Sequence, residues 1–234
     1  RSSRQRKMKL PNYQTLPEFA GSDARGATQE MLGAVRQISR AWKRIANEQD
    51  PGRVTHQSSG RVNMKRAMSG NNDLDTVFDQ WNEGQQDATD IELVVLLDNS
   101  SSMYFTDRYV WANQAMWSIV RAAQMTSDSI STSVIKFDNS AGYLVKRGEK
   151  VAPNQYKMYR PIGLTNPLDA LREAQGIFAT TSRQKKILIV LSDGAWQAMS
   201  LTTCNEIVET LGDYGVVTAV GFMAGEGVDV STKE

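Results

Sequence analysis

The chain has 234 residues, 40% of them hydrophobic, with 27 basic and 26 acidic side chains, which is room for one sizeable core with or without an attached arm. A lone cysteine, Cys204, excludes an intrachain disulfide, and a lone histidine, His56, leaves no ligand set for zinc. Apolar runs of about five residues are far short of the roughly 18 that span a bilayer.

The near-neutral total conceals a division. Residues 1–66 hold 14 Lys and Arg against 5 Asp and Glu, whereas residues 67–234 hold 13 against 21. A cationic front therefore precedes an anionic body, and the two face different electrostatic tasks. Residues 1–26 place five basic side chains in the first nine positions, then Pro11, Pro17, Gly21 and Gly26, without hydrophobic period. This predicts an extended basic arm. Such an arm suits an acidic protein partner or a nucleic acid, although Tyr13 and Phe19 alone give little support to base stacking. Because the chain begins at Arg1 and not at a methionine, an upstream piece is expected to have been removed or left out.

Residues 27–49 read as an amphipathic helix capped by Thr28. Met31, Val35, Ile38, Trp42 and Ile45 recur at steps of four and three. The stripe fits packing on the main domain or in a homo- or hetero-oligomer; membrane attachment would need a more one-sided basic face. Asp50-Pro51-Gly52 ends it. Residues 53–72 read as a polar linker, and 74–85 as a short second helix that Val77 and Trp81 would dock on the main domain. Residues 27–89 are thus expected to be a helical extension and linker, and 90–234 the main domain.

From residue 91 the pattern alternates. IELVVLLD (91–98) is a strand with no polar alternation, as both-face burial requires. YVWANQAMWSIVRAAQM (109–125) is a helix with Val110, Ala115, Met116, Ile119 and Ala123 inward. SVIKFD (133–138) is a strand and YLVKRG (143–148) its edge hairpin partner. NPLDALREAQGIFATT (166–181) is a helix with Pro167 at its start. KKILIVLSDG (185–194) is a second buried strand, TCNEIVETLGDYG (203–215) a helix closed by glycine, and VVTAVGF (216–222) a strand. The order predicts an α/β fold: a doubly wound, mostly parallel sheet with helices on both faces.

Ligands of such sheets bind beyond the carboxyl ends of the strands. Three segments deliver polar groups there: Asp98-Asn99-Ser100-Ser101-Ser102, Gly163-Leu164-Thr165-Asn166-Pro167, and Ser192-Asp193-Gly194. They offer two carboxylates and several hydroxyls, all hard oxygen ligands, which suit Mg²⁺ and less strictly Mn²⁺ or Ca²⁺. Neutral hydroxyls fill coordination positions without cancelling charge, so the ion would accept a further anionic ligand, such as an Asp or Glu of a protein partner. A plain helix cap needs one Ser or Asp, not four, and leaves Thr165 and Asp193 unexplained. Asn99-Ser100-Ser101 also matches a glycosylation sequon, against which the buried strand end argues. Tyr104, Phe105, Asp107 and Tyr109 follow directly, either as the rim of a binding face or, for Tyr109, as the start of a helix core.

Asp98-x-Ser100-x-Ser102, followed by Thr165 and then Asp193, resembles the metal-ion-dependent adhesion site of von Willebrand factor A domains. The resemblance covers roughly residues 90–222. It implies that Ser100, Ser102 and Thr165 contact the metal directly or nearly so, with Asp98 and Asp193 often acting through bound waters. Ser101 stands where the family often has glycine. The family also continues with a further strand and helix, for which 12 residues remain here after Phe222, so a C-terminal part that is clipped, short or supplied differently is expected. LLDNSSSM (96–103), FDQWNEGQQD (78–87) and the basic helical lead-in are similar to the large subunit of cobalt chelatase, which works with an AAA+ ATPase.

No P-loop, HExxH or GxSxG motif is present, and the glycines of residues 221–227 follow a strand but open no helix. The expected function is therefore a non-enzymatic, metal-dependent protein-binding module. The alternatives are a non-catalytic chelatase-like subunit beside an AAA+ ATPase and a structural component of a large, phage-type assembly that uses the basic arm. The corresponding locations are the cytoplasm or a virion.

Overall fold

The computed structural model describes residues 22–46, 53–57, 61–62, 78–81, 89–194 and 201–222. In chain order the elements are β1 (Asp23–Gly26), α1 (Gln29–Ala46), β2 (Arg53–Gln57), β3 (Arg61–Val62), β4 (Phe78–Trp81), β5 (Ile91–Asp98), a 3-10 turn (Ser101–Asp107), α2 (Arg108–Thr126), β6 (Ile130–Phe137), β7 (Ala141–Val145), β8 (Gln155–Met158), α3 (Leu168–Thr180), β9 (Lys185–Ser192), α4 (Leu201–Asp213) and β10 (Val216–Phe222). Two compact units divide the chain: Arg1–Trp42 with Asp90–Glu234, and Lys43–Thr89.

The larger unit is α/β. Its five-stranded sheet runs in the order β10-β9-β5-β6-β7. β10, β9, β5 and β6 are parallel, and β7 closes one edge antiparallel to β6. The chain leaves β5 through α2 to β6 on one side, then returns through α3 to β9 on the other. Right-handed crossovers in opposite directions put the helices on opposite faces. The strand order therefore reverses at β5, which makes its carboxyl end the switch point at which ligands of such sheets bind.

Every residue of β5 is buried, which is why its sequence lacks polar alternation. Val94, Leu96, Ile135 and Phe137 share one core with Ala170, Leu171, Ala174 and Phe178 of α3 and Cys204, Ile207 and Leu211 of α4. Cys204 is thus a packing residue. Alternation turns Leu93, Val95 and Leu97 to the other face, where α2 packs against β5 and β6.

Several sequence expectations are corrected. Within α2, Met116 and Ala123 are buried as expected, but Val110, Ala115 and Ile119 are only half-buried, while Ala112, Trp117 and Val120 are fully enclosed. The helix is covered on two sides. Besides the sheet, Ser39 of α1 donates its hydroxyl to Ala122 O (3.3 Å), and Trp117 Nε1 donates to Ala152 O (3.1 Å). A single-stripe reading cannot see a second covering layer. Residues 23–26, inside the expected arm, form β1, antiparallel to β8. Both strands were missed because the pairing is made by the backbone, and β1 is exposed throughout. The remainder of the expected arm, residues 1–21, lies outside the described residues, as do 223–234. In α1, Thr28 caps as expected, its Oγ1 accepting from Met31 N–H at 3.2 Å. Met31, Val35 and Trp42 of its stripe are buried.

The smaller unit carries a three-stranded antiparallel sheet, β2-β4-β3. The linker expected over 53–72 therefore contains two strands, and the helix expected over 74–85 contains β4. Phe78 and Trp81 favour a strand as readily as they mark a helix face, and four residues do not separate the two periods. The docking expected of Val77 and Trp81 lies outside the described side chains.

Candidate metal centre

Asp98 is the last residue of the central strand and is 2% exposed. Its Oδ1 accepts the Ser100 backbone N–H at 2.9 Å, and its Oδ2 accepts the Ser192 hydroxyl at 2.5 Å. The first bond closes a tight turn that swings the chain out of β5. The second ties β5 to its neighbour β9. Burial raises the Asp98 pKa above its ordinary value. Hydrogen bonds from Ser100 and Ser192 oppose the rise, and the nearby Asp193 charge adds to it. Two carboxylates thus lie within electrostatic reach of each other on adjacent strand ends.

The turn brings Ser100 Oγ to 3.0 Å from Ser102 Oγ. Neighbouring oxygens on an octahedral Mg²⁺, at about 2.1 Å from the ion, lie about 3.0 Å apart. The two hydroxyls are hydrogen-bonded to each other, and their spacing also matches that of two adjacent ligands. Neither serine is spent on capping. Ser100 precedes the 3-10 turn without a side-chain cap bond, and α2 begins only after Asp107.

The loop carrying Thr165 is laced to this turn. Ser101 N–H donates to Gly163 O (3.0 Å), Ile162 N–H to Asn99 O (2.7 Å) and Asn166 N–H to Asp138 O (3.0 Å). Asn99 Nδ2, buried, donates to Arg160 O at 3.0 Å, so the sequon amide is committed to the fold. Gly163 sits at φ +79°, and a Cβ there would lie 2.8 Å from the Asn139 side chain. That side chain is fixed, because Asn139 Oδ1 accepts Leu164 N–H at 2.5 Å. Thr165 itself is buried. The Lys136–Asp138 ion pair (2.5 Å) stands at the end of β6, where Asp138 O accepts Asn166 N–H.

Asp98, Ser100, Ser102 and Asp193 thus gather at one sheet end, with the Thr165 loop bonded to the same turn. The donor set fits a hard divalent cation: two carboxylates, a hydroxyl pair at ligand spacing, and no soft ligand. Ser100, Ser102 and Thr165 would supply neutral oxygens, and Asp98 and Asp193 the balancing charge. When bound, the ion supplies a Lewis-acidic attachment point for an anionic group.

One residue at this centre escaped sequence reasoning. Arg108, at the first position of α2, places Nη1 3.2 Å from Asp193 Oδ2, with the Asp193 side chain 1% exposed. Its Nε is buried without a hydrogen-bond partner among the described residues. Spacing from Ser102 carries no sign of this, since the contact joins positions 85 residues apart. Asp138 and Asn139 were also missed, although FDN at the end of a strand beside β5 was an available signal.

No protein-family model matches this sequence, and no curated protein does. Solved structures do. The von Willebrand factor domain of the type V pili tip protein Mfa5 from Porphyromonas gingivalis is 20% identical over 46% of this chain and 39% of that one, with TM-score 0.38. A von Willebrand factor type A structure from Catenulispora acidiphila is 17% identical over 57% of this chain and 33% of that one, with TM-score 0.42. Manganese-loaded TRAP protein from Plasmodium vivax is 16% identical over 59% of each chain, with TM-score 0.42. This chain spans less than two thirds of the length of each of the three. Each of the three likenesses covers part of this chain.

Proposed function

We propose that this protein is a metal-dependent protein-binding module. Ser100, Ser102 and Thr165 with neutral oxygens, and Asp98 and Asp193 with carboxylates, hold a divalent cation, Mg²⁺ by the hardness of the oxygen donors, and a carboxylate of a protein partner completes its shell. The observation that carries this reading is the pairing of just two neighbouring carboxylates with a hydroxyl pair at the switch point of the sheet. Among the described residues no group of three or more His, Cys, Asp or Glu side chains comes together. An ion held by two carboxylates keeps an appetite for one more anion. The chain itself performs no catalysis in this reading.

Calorimetric titration of Mg²⁺, Mn²⁺ and Ca²⁺ into metal-stripped protein, with Asp98→Ala beside it, tests the site. Saturable heat in the wild type that is lost in the variant, with an unchanged circular dichroism spectrum, is the expected result. Equal binding in the variant overturns it. The same site would serve a chelatase-like subunit or an assembly component. Stimulation of an AAA+ ATPase, or loss of assembly on deletion of residues 1–21, separates those roles from a free-standing module.

A further inference from the structure

The surface around this centre has a chemistry of its own. Phe105 is 70% exposed, Ile162 62%, Leu164 60% and Tyr104 49%. Large apolar side chains scattered singly on a surface need no explanation. These four stand on two loops that are hydrogen-bonded to each other, Ser101 to Gly163 and Ile162 to Asn99. In the chain, Tyr104 and Phe105 closely follow the Ser100–Ser102 hydroxyl pair, and Ile162 and Leu164 closely precede Thr165. The loop that presents Phe105 is also strained: Thr106 and Asp107, consecutive and neither of them glycine, both have φ +54°. A β-branched residue in that region is an outlier that surrounding structure must enforce. Here it turns Tyr104 and Phe105 toward solvent and sets Arg108 at the head of α2.

Arg108 decides the charge. Asp98 and Asp193 neutralise a divalent ion, so the Arg108 guanidinium, 3.2 Å from Asp193, leaves the loaded centre with one positive charge to spare. Asp107 beside it is exposed and screened by water. A cationic point set in an apolar rim favours an anion whose neighbourhood is itself apolar. A free inorganic anion or a carboxylate in a polar stretch would forgo the burial of Phe105, Ile162 and Leu164.

Resting on the metal-site reading above, we propose that this face docks a protein segment presenting an Asp or Glu side chain next to a large apolar residue. The carboxylate meets the ion and the Arg108 charge. The apolar residue covers Phe105 and Leu164. Arg108 acts as a specificity-determining residue that demands the anion, and the two-loop rim selects its apolar neighbour.

The test is selection from a random peptide library displayed on phage, bound to the full chain in Mg²⁺ and eluted with EDTA. The expected peptides carry an acidic residue within two positions of Leu, Ile, Phe, Tyr or Trp. A synthetic peptide from the selection should then bind the double variant Phe105→Ser, Leu164→Ser roughly tenfold or more weakly by fluorescence polarisation. Both positions are exposed, so the fold survives their change, and calorimetric Mg²⁺ binding should persist in the double variant. Arg108→Gln should weaken the peptide, and Arg108→Lys, which keeps the charge, should recover most of the loss. Acidic peptides without an apolar neighbour, unaltered affinity in the double variant, or no EDTA-eluted peptides despite Mg²⁺ binding would overturn the inference while leaving the metal site intact. Absence of Mg²⁺ binding in the wild type would instead remove the reading on which it rests.

Discussion

Asp98 is a carboxylate drawn out of water at the end of an apolar strand. Burial raises its pKa from the ordinary 3.8, against the pull of hydrogen bonds from Ser100 and Ser192 and with added push from Asp193. The sign follows from linkage: an acid whose folded pKa lies above its unfolded one favours the fold below the unfolded value, and that contribution is lost as pH rises through the folded pKa. Above its raised folded pKa, the ionised Asp98 therefore works against the metal-free fold. Asp98→Asn keeps an acceptor for Ser100 and a polar partner for Ser192 while removing the charge. Thermal denaturation in EDTA at pH 7 should show a higher Tm for this variant than for wild type, the gap closing in acid below the ordinary carboxylate value, and Mg²⁺ should no longer raise the variant's Tm. A lower Tm at neutral pH would mean that hydrogen bonding to the charged form outweighs its desolvation. Protons should also displace the cation at a higher pH than an ordinary aspartate would set.

Elements deliver these residues, and loops register them. The turn after β5 and the loop before α3 are held together by backbone bonds through Gly163 and Ile162. Gly163 is needed there for two independent reasons, its φ of +79° and the 2.8 Å approach to Asn139. Gly163→Ala should cost about 1–3 kcal/mol in urea denaturation. It should also weaken Mg²⁺ binding, because relief of the clash moves Leu164 and the neighbouring Thr165 away from the serine turn. Unchanged metal affinity would show that Thr165 is dispensable to the centre. Most elements of the larger unit were legible because each carries its own period: the unbroken apolar run of β5, the stripe of α1, the proline at the head of α3. β1, β8 and the three strands of the smaller unit were not. Short strands are held by the backbone hydrogen bonds of a partner, and the partner is not in the local sequence.

In the larger unit as a whole, stability rests on the core between the sheet and α3 and α4. Phe178 is fully buried there among Val94, Leu96 and Phe137. Phe178→Ala should lower unfolding stability by about 3–5 kcal/mol, the transfer loss plus the cavity, measured by chemical denaturation. A loss under about 1 kcal/mol would mean that the core collapses freely around the gap. The same core fixes β5 and β9 side by side, which is what brings Asp98 and Asp193 together from positions 98 and 193. The α/β alternation, the parallel sheet and the polar segments at its strand ends were legible in the residues alone, because strand and helix periods and the burial of a run are local properties of a chain. The sequence also supplied the motif of Asp98, Ser100, Ser102, Thr165 and Asp193 in order. Packing decided that the Thr165 loop is bonded to the serine turn, that α2 is covered on two sides, and that Arg108 stands at Asp193. Those are contacts between distant positions, and their existence depends on which strands become neighbours, a choice made by packing and not by any local run of residues.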